Sequence, residues 1–490
     1  MDFAIIITYT FALLLILLYS LSQFSLLLNY LKSIKKLDKS AKYNFSNPDE
    51  IPKVTIQLPL YNEMYVVERL LVNIAKLEYP KDKLEIQVLD DSTDESINTN
   101  AAQVLDLQKT GLNIIHITRT DRSGYKAGAL KEGLQIAKGE FIAIFDSDFM
   151  PKPDWLLQTV PYFKDEKIGV VQTRWGHINR DYSLLTQIQA FALDFHFILE
   201  QVGRNFGKHF INFNGTAGIW RKECIMDAGN WSGDTLTEDL DLSYRAQMKK
   251  WDFKYLENVE TPAELPVVIS AARSQQFRWN KGAAENFQKN YSKILFDKSL
   301  TAGTKFHGFF HLLNSSMFLV VLLLAILSVP VLYIKNTNPL FNGYFNVIAF
   351  FAISTLIFFV CYWVTYAKIH GKGIKSFFKF IGMFFTFFSI AMGFSVHNSL
   401  AVLEGHFGKK SEFIRTPKFN INSLKDSWKG NKYLSSKISL STVVEGLLWL
   451  YFGFAIYSAF ILQDFGLIVF HLMLFAGFGY VVFKSLLPKF

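Results

Sequence analysis

Long apolar runs stand at both ends of this 490-residue chain, and none stands in the stretch between them. A helix needs roughly 20 apolar residues to cross the ~30 Å hydrocarbon core of a bilayer. The two ends are therefore predicted to lie in a membrane, and the middle in water. The first run fills residues 3–30, from Phe3-Ala4-Ile5-Ile6-Ile7 to Leu26-Leu27-Leu28. No basic residue precedes it, while Lys32, Lys35, Lys36, Lys39 and Lys42 follow. The bias of basic residues toward the cytosolic side predicts an outside N-terminus, an anchor over residues 1–31 and a basic cytosolic linker over 32–51. The length of the run and the missing small-residue cleavage site favour a retained anchor over a signal peptide.

Within residues 301–490, spans are predicted near 312–334, 345–367, 442–462 and 465–484, paired as two hairpins. Lys368, Lys372, Lys375 and Lys379 lie on one side, and the turns around Asn338 and Asp464 carry almost no basic charge. Both hairpins then begin and end in the cytosol. Residues 377–407 are apolar enough to span but are interrupted by His397, Asn398, Glu404 and His406. Crossing would carry Lys409, Lys410, Arg415 and Lys418 outside, so an interfacial or re-entrant path is predicted. The expected total is five spans, with a cytosolic loop over 408–440.

Half the residues are hydrophobic, 48 are Phe, and the formal net charge is +9. A nucleic-acid partner would call for one long basic stripe, but the Lys residues sit beside the apolar spans. The charge is read as cytosolic loops facing membrane lipids, and no nucleic-acid partner is expected. Cys224 and Cys361 are the only cysteines, which excludes a disulfide scaffold and any zinc-like spacing.

Between Pro52 and about residue 300, β-rich runs alternate with helical periodicity. Residues 54–60, 85–89, 113–117 and 141–145 are predicted strands, and 66–77, 95–108 and 127–137 are helices long enough for crossovers. This alternation implies an α/β domain over 52–300 with a doubly wound, mostly parallel sheet.

In such sheets the ligand crevice lies beyond the carboxyl ends of the strands. The first strand ends in Pro59-Leu60-Tyr61-Asn62-Glu63, the second in Asp90-Asp91-Ser92, and the fourth in Asp146-Ser147-Asp148. So many carboxylates at one edge are costly unless a cation neutralises them, and two Asp at i and i+2 can share a hard ion such as Mg2+ or Mn2+. Such an ion would offset charge on a diphosphate leaving group. Taken alone, Asp-x-Asp also suits a solvated loop or a helix cap.

Tyr61, Asn62 and Asp90 have groups suited to a base and ribose, and Asn62 and Asp90 suit Asx turns equally well. Lys126 opens a helix whose free N–H groups favour anions, or it is simply a solvated helix-start lysine. Thr237-Glu238-Asp239 marks a helix start; a partly desolvated Asp239 could instead take a proton from an incoming hydroxyl. Gln275-Gln276-Phe277-Arg278-Trp279 falls on an aromatic-rich helix predicted at the membrane surface near 266–291. Trp279 can stack on a sugar or anchor the helix, and Arg278 can fork onto phosphate oxygens of a nucleotide or of lipid.

Taken in order, Asp90, Asp146-Ser147-Asp148, Thr237-Glu238-Asp239 and Gln275-Gln276-Phe277-Arg278-Trp279 resemble the signature of the processive family-2 glycosyltransferases. Phe213-Asn214-Gly215-Thr216-Ala217-Gly218-Ile219-Trp220-Arg221 and Glu264-Leu265-Pro266 look most like the cellulose-synthase-like mannan and glucomannan synthases. The resemblance implies a GT-A fold, Rossmann-like, with an α-helical transmembrane region. It also implies an inverting transfer of a hexose from UDP-glucose or GDP-mannose to a growing β-glycan, a β-1,4-linked glucan, mannan or glucomannan, which passes out through the helices. On that pattern Tyr61, Asn62, Glu63, Asp90, Lys126, Asp146, Gln275 and Arg278 serve the nucleotide-sugar. Asp146 and Asp148 hold the metal, and Asp239 is the base. Phe213, Asn214, Gly215, Thr216, Glu238 and Trp279 meet the acceptor.

Phe413-Ile414-Arg415-Thr416-Pro417-Lys418 is similar to the gating loop of cellulose synthases, with Arg415 in place of the family Val. It keeps Phe413, Thr416 and Lys418. The plasma membrane, or the Golgi of a eukaryote, is the implied location. A single transfer to a membrane glycolipid is the rival reading, and a non-catalytic polysaccharide channel is a third that the intact carboxylates oppose.

Overall fold

A computed structural model describes residues 1–35, 47, 50–411, 414–421, 423–428, 431–433 and 439–486. Its α/β domain holds one seven-stranded sheet: β1 (Val54–Leu60), β2 (Leu84–Asp90), β3 (Ile114–Thr118), β4 (Phe141–Ile144), β5 (Ile168–His177), β6 (Gly218–Arg221) and β7 (Asp252–Ala263). The first four match their predicted ranges to within a residue at each end. Every residue of β2 is buried, and so is every residue of β1 except Pro59, as expected where helices cover both faces of Val/Ile/Leu-rich strands. The helices Val67–Ile74, Ser96–Lys109 and Tyr125–Ile136 provide the crossovers. Ile56, Leu58, Ile86 and Val88 pack one core, and Leu130, Ile142, Ile144 and Trp220 pack the other.

The strand order is β3-β2-β1-β4-β6-β5-β7. Winding is doubly parallel only through β1–β4. β6 runs antiparallel to both β4 and β5, and β7 then pairs parallel with β5. The antiparallel entry of β6 matters for the site. Gly218 pairs with Ile144, so the turn that precedes β6 lies at the same sheet edge as the residues that follow β4.

Six helices among the described residues are long and apolar enough to cross a membrane: Asp2–Lys35, Ala302–Thr337, Pro339–His370, Ile374–Gly393, Leu440–Ile461 and Ile468–Leu486. This is the make-up of a multi-pass membrane protein. The sequence reading counted five, and the added helix is Ile374–Gly393. Residues 377–407 were read as one interrupted segment, but a bend at Phe394 divides them between Ile374–Gly393 and Ser395–His406. All four interrupting polar residues fall after the bend, which leaves the first helix apolar but for Lys375 and Lys379 near its start and the hydroxyls of Ser376, Thr386 and Ser389.

Ile374–Gly393 does not stand clear of the α/β domain. The Phe380 and Phe191 rings are 6.3 Å apart, while Ile390 and Phe394 cluster with Leu185, Ile188, Ile269 and Ala272. Both halves of the helix therefore touch the domain. A Cβ on Gly477 would strike the Ser389 carbonyl, so the end of this helix meets Ile468–Leu486 backbone to backbone, as small residues allow. Ser395–His406 packs on the helix Ile269–Phe296, which carries Gln275, Arg278 and Trp279 and extends beyond its predicted 266–291 range.

Candidate active site

Residues after β1, β2 and β4 open on one cleft of about 170 Å³. Of the residues singled out above, it gathers Tyr61, Glu63, Lys126, Asp146, Asp148, Asn214, Gly215, Glu238, Asp239, Gln275, Arg278, Trp279, Thr416 and Lys418. Separate stretches of sequence meet there, among them the strand ends, the turn before β6, the helix Glu238–Met248 and the helix Ile269–Phe296. The described residues of 414–433 lie across them as a strap.

Asp146 is held from two sides. Its backbone N–H donates to Thr216 Oγ1 at 2.8 Å, and its Oδ1 accepts from Lys126 Nζ at 2.5 Å. Lys126 Nζ also donates to the Gly215 carbonyl at 2.9 Å, tying the β4 end to the turn before β6. Burial alone would lower the Lys126 pKa, but the charges of Asp146 and Glu238 outweigh it and keep the ammonium protonated. Asp148 Oδ2 accepts from Lys418 Nζ at 2.7 Å and from the Glu264 backbone N–H at 3.2 Å. Asp148 Oδ1 is buried and has no hydrogen-bond partner among the described residues.

Glu238 and Asp239 occupy the first turn of their helix, with Lys126 as the countercharge. Burial, reinforced by the Glu238 charge, pushes the Asp239 carboxyl up to about 7. Burial raises Glu238 as well. Asp239 Oδ1 accepts from the Leu240 N–H at 2.8 Å. Its Oδ2 faces Gly215, whose φ is +78° and where a Cβ would sit only 2.9 Å from that oxygen. Glycine is needed there both for its backbone angle and for the room.

The strap contributes charge from above. Arg415 Nη1 lies 3.2 Å from Glu63 Oε1, whose carboxyl burial raises to about 7, and Arg278 Nη2 donates to Thr416 Oγ1 at 2.7 Å. Glu264 accepts the backbone N–H groups of Phe419 and Ile421 at 2.8 and 3.2 Å. At the far end Tyr433 donates to Asp94 at 2.6 Å. Phe413 lies outside the described residues.

Four named residues are not on the cleft lining. Asp90 is 1% exposed and accepts from Ser92 N, Asn100 Nδ2 and His116 Nε2 at 3.0, 2.9 and 3.0 Å. Burial opposes its ionisation, yet these bonds hold its carboxyl below the usual range. The neighbour that faces the cleft is Asp91, bound to Arg119 Nε at 2.8 Å. Asn62 is engaged locally, its Oδ1 accepting from the Thr93 N–H at 2.8 Å. Phe213 is packed in the core against Trp220, and Thr216 is fully buried beneath Asp146.

Sequence reasoning placed Asp91 at the crevice edge without giving it a role, and it missed Arg122, Trp175 and His177. Arg122 covers the Tyr61 ring at 3.5 Å, closing one end of the cleft. Trp175 and His177, two apart near the end of β5, share one face of the strand and carry no sequence motif that marks them.

Among the described residues no set of three or more His, Cys, Asp or Glu side chains is gathered to hold a metal alone. The unpartnered Asp148 Oδ1, with Asp146 two residues away, does fit a hard cation whose other ligands come from a diphosphate. Asp146 and Asp148 would be its protein ligands.

Residues 52–282 match the model of a family described as "Glycosyltransferase like family 2". The chain is 34% identical over 387 residues to probable glucomannan 4-beta-mannosyltransferase 6 of Oryza sativa subsp. japonica, covering 76% of this chain and 64% of that one. It is 40% identical over 284 residues to glucomannan 4-beta-mannosyltransferase 9 of Arabidopsis thaliana, covering 56% and 53%. The chain thus spans about half to two thirds of the length of these relatives. Among solved structures, the mannosyltransferase PcManGT from Pyrobaculum calidifontis, in complex with GDP-Man and Mn2+, superposes with a TM-score of 0.52. It is 19% identical and covers 82% of this chain and 100% of that one. That likeness shows the fold, a GT-A domain.

Proposed function

We propose that this chain, whose residues 52–282 match the model of a family described as "Glycosyltransferase like family 2", transfers a hexosyl group from a nucleotide-sugar to a hydroxyl of a growing β-glycan. Relatives named as glucomannan 4-beta-mannosyltransferases favour a β-1,4-linked mannan or glucomannan as product, with GDP-mannose or UDP-glucose as donor.

The observation that carries this reading is the setting of Asp239. Its carboxyl is raised to about 7, it faces the open space made by Gly215, and it stands across Lys126 from Asp146. A base with a pKa near the working pH is well matched to proton abstraction. In the transfer, the acceptor oxygen forms its bond to the anomeric carbon while its proton passes to an Asp239 oxygen. The bond from that carbon to the diphosphate oxygen breaks on the opposite face, so an α-linked donor gives a β-linkage. Lys126, Arg278 and Lys418 are among the cations that line the cleft where the diphosphate departs. A Mg2+ or Mn2+ held by Asp146 and Asp148 would supply further neutralisation of the leaving group.

Trp279 and Asn214 receive the acceptor sugar, and Tyr61, Asp91 and Arg122 receive the nucleotide. The strap acts as the gating loop, its Thr416 and Lys418 already beside Arg278 and Asp148. We place the α/β domain in the cytosol and give Ile374–Gly393 an interfacial course, which its contacts with Phe191, Leu185 and Ile269 support. That course keeps the strap on the side of the nucleotide.

The test screens sugar nucleotides with membranes holding the protein, followed by digestion with linkage-specific glycanases. A long product cut by β-mannanase is expected. Products of one added sugar on a lipid would overturn the polymer reading.

A further inference from the structure

Residues 184–206 form one continuous helix with a π-turn at Phe195–Glu200. Such turns bulge the backbone and recur at functional sites. On one side of this turn, Gln201 Nε2 donates to Asn214 Oδ1 at 2.7 Å and to the Asn212 carbonyl at 3.0 Å. His196 Nε2 lies 3.1 Å from Asn214 Nδ2, and His196 Nδ1 lies 2.8 Å from Glu200 Oε2. The other Glu200 oxygen accepts from Arg204 Nη2 at 3.0 Å and from Gln23 Nε2 of the first apolar helix at 2.9 Å.

Counting donors and acceptors fixes every hydrogen in this set. Burial would raise Glu200, but the Arg204 charge and the His196 hydrogen bond lower it to about 2, so it is an ionised carboxylate that can only accept. His196 Nδ1 must therefore carry the hydrogen. In the neutral ring the Nε2 lone pair is then free to accept from Asn214 Nδ2. Gln201 demands the same amide orientation from the opposite side, because its Nε2 must meet an oxygen. Asn214 keeps one N–H and one oxygen lone pair in reserve, and it lines the cleft.

We propose that His196 and Gln201 are positioning residues that lock the Asn214 amide so that its spare donor and acceptor meet two adjacent hydroxyls of the acceptor pyranose, with Gln23 bracing the set from the first apolar helix. A side-chain amide offers one donor beside one acceptor, which suits a vicinal diol. The inference rests on the glycosyltransferase reading above and adds to it the groups that orient the acceptor.

The test uses the full chain in lipid nanodiscs with β-linked manno- and gluco-oligosaccharides as acceptor probes. Gln201→Leu and His196→Phe are expected to raise the acceptor KM about 10-fold or more, leaving donor KM and donor-only hydrolysis within about 2-fold, since an unpaired amide loses its fixed orientation. Gln201→Glu, nearly isosteric and able only to accept, turns the amide over and is expected to raise the acceptor KM by a similar factor. Added to Asn214→Ala, Gln201→Leu is expected to change the acceptor KM by less than about 2-fold, because both act through one group. An unchanged acceptor KM in the single variants, or donor and acceptor terms lost together, overturns the inference alone. A wild-type protein that turns over no sugar nucleotide overturns the underlying reading and takes this inference with it.

Discussion

Lys418 Nζ sits 2.7 Å from Asp148 Oδ2, so a cation from the strap occupies one oxygen of the very carboxylate whose other oxygen is buried and unpartnered. A divalent ion bound there would compete with the strap for the same charge. Were a metal and a diphosphate to enter, the ammonium would be displaced from Asp148 toward the phosphate oxygens.

Removing that competitor should be visible without turnover. Lys418→Gln is expected to tighten binding of Mn2+ alone by a factor of about 5, on the order of 1 kcal/mol for one partly screened ion pair. The same variant is expected to raise the donor KM, since the strap loses its contact with diphosphate. Titration of Mn2+ followed by paramagnetic resonance reads the first effect; unchanged affinity would show that Lys418 does not contest the metal.

Asp239→Asn is expected to lower transfer by about 10²- to 10⁴-fold while nucleotide binding persists, the usual range for loss of a general base. In the wild type, transfer is expected to fall below a pH of about 7, because a protonated carboxyl cannot take the acceptor proton. The stability effect has a definite sign. With its folded pKa raised, Asp239 destabilises the fold increasingly as pH climbs from the ordinary carboxylate range to about 7, and constantly above that. Asp239→Asn should therefore melt at a higher temperature than wild type at pH 8, and the gap should close at pH 4.

Gly215→Ala places a methyl group 2.9 Å from Asp239 Oδ2 at a φ of +78°. The backbone penalty is about 1 kcal/mol, small enough for folding to persist. Transfer is expected to drop about 10-fold or more because a near-contact of this kind displaces the base. Wild-type kinetics in this variant would mean that the Asp239 carboxylate is not needed where it stands.

The two neighbouring aspartates should separate by their effect on donor binding. Asp91→Asn is expected to weaken donor binding and also to lower the melting temperature, because it breaks the buried pair with Arg119. Asp90→Asn leaves Ser92, Asn100 and His116 facing a weaker acceptor in a buried spot, so it is expected to cost about 1–3 kcal/mol of stability. Paired measurements of donor KM and thermal melting distinguish them.

That pair also marks how far the sequence could be read. β1–β4 were legible because each is a short Val/Ile/Leu run bounded by turn residues, and Asp146-Ser147-Asp148 followed at the edge where ligands bind. Asp90 looked equivalent, but it still pairs with Leu60 and Thr118 in the ladder and its carboxylate is enclosed. No pattern within Asp90-Asp91 says which side chain the pleat turns outward. Asp239 needed the resemblance, because a carboxylate at a helix start is an ordinary feature. The resemblance pointed to the strap at 413–418, but its partners needed the fold, since Arg415 and Glu63 are 352 positions apart and only the folded chain makes them a pair.

The strap is seated on Glu264 by the amide hydrogens of Phe419 and Ile421, not by their side chains. A contact written in the main chain is blind to which apolar residue carries it. Residues 419 and 421 can therefore be exchanged for other apolar residues without losing these two bonds, provided the new side chains still fill the buried cluster with Val267 and Ala271. Proline is the exception, for it has no amide hydrogen to give.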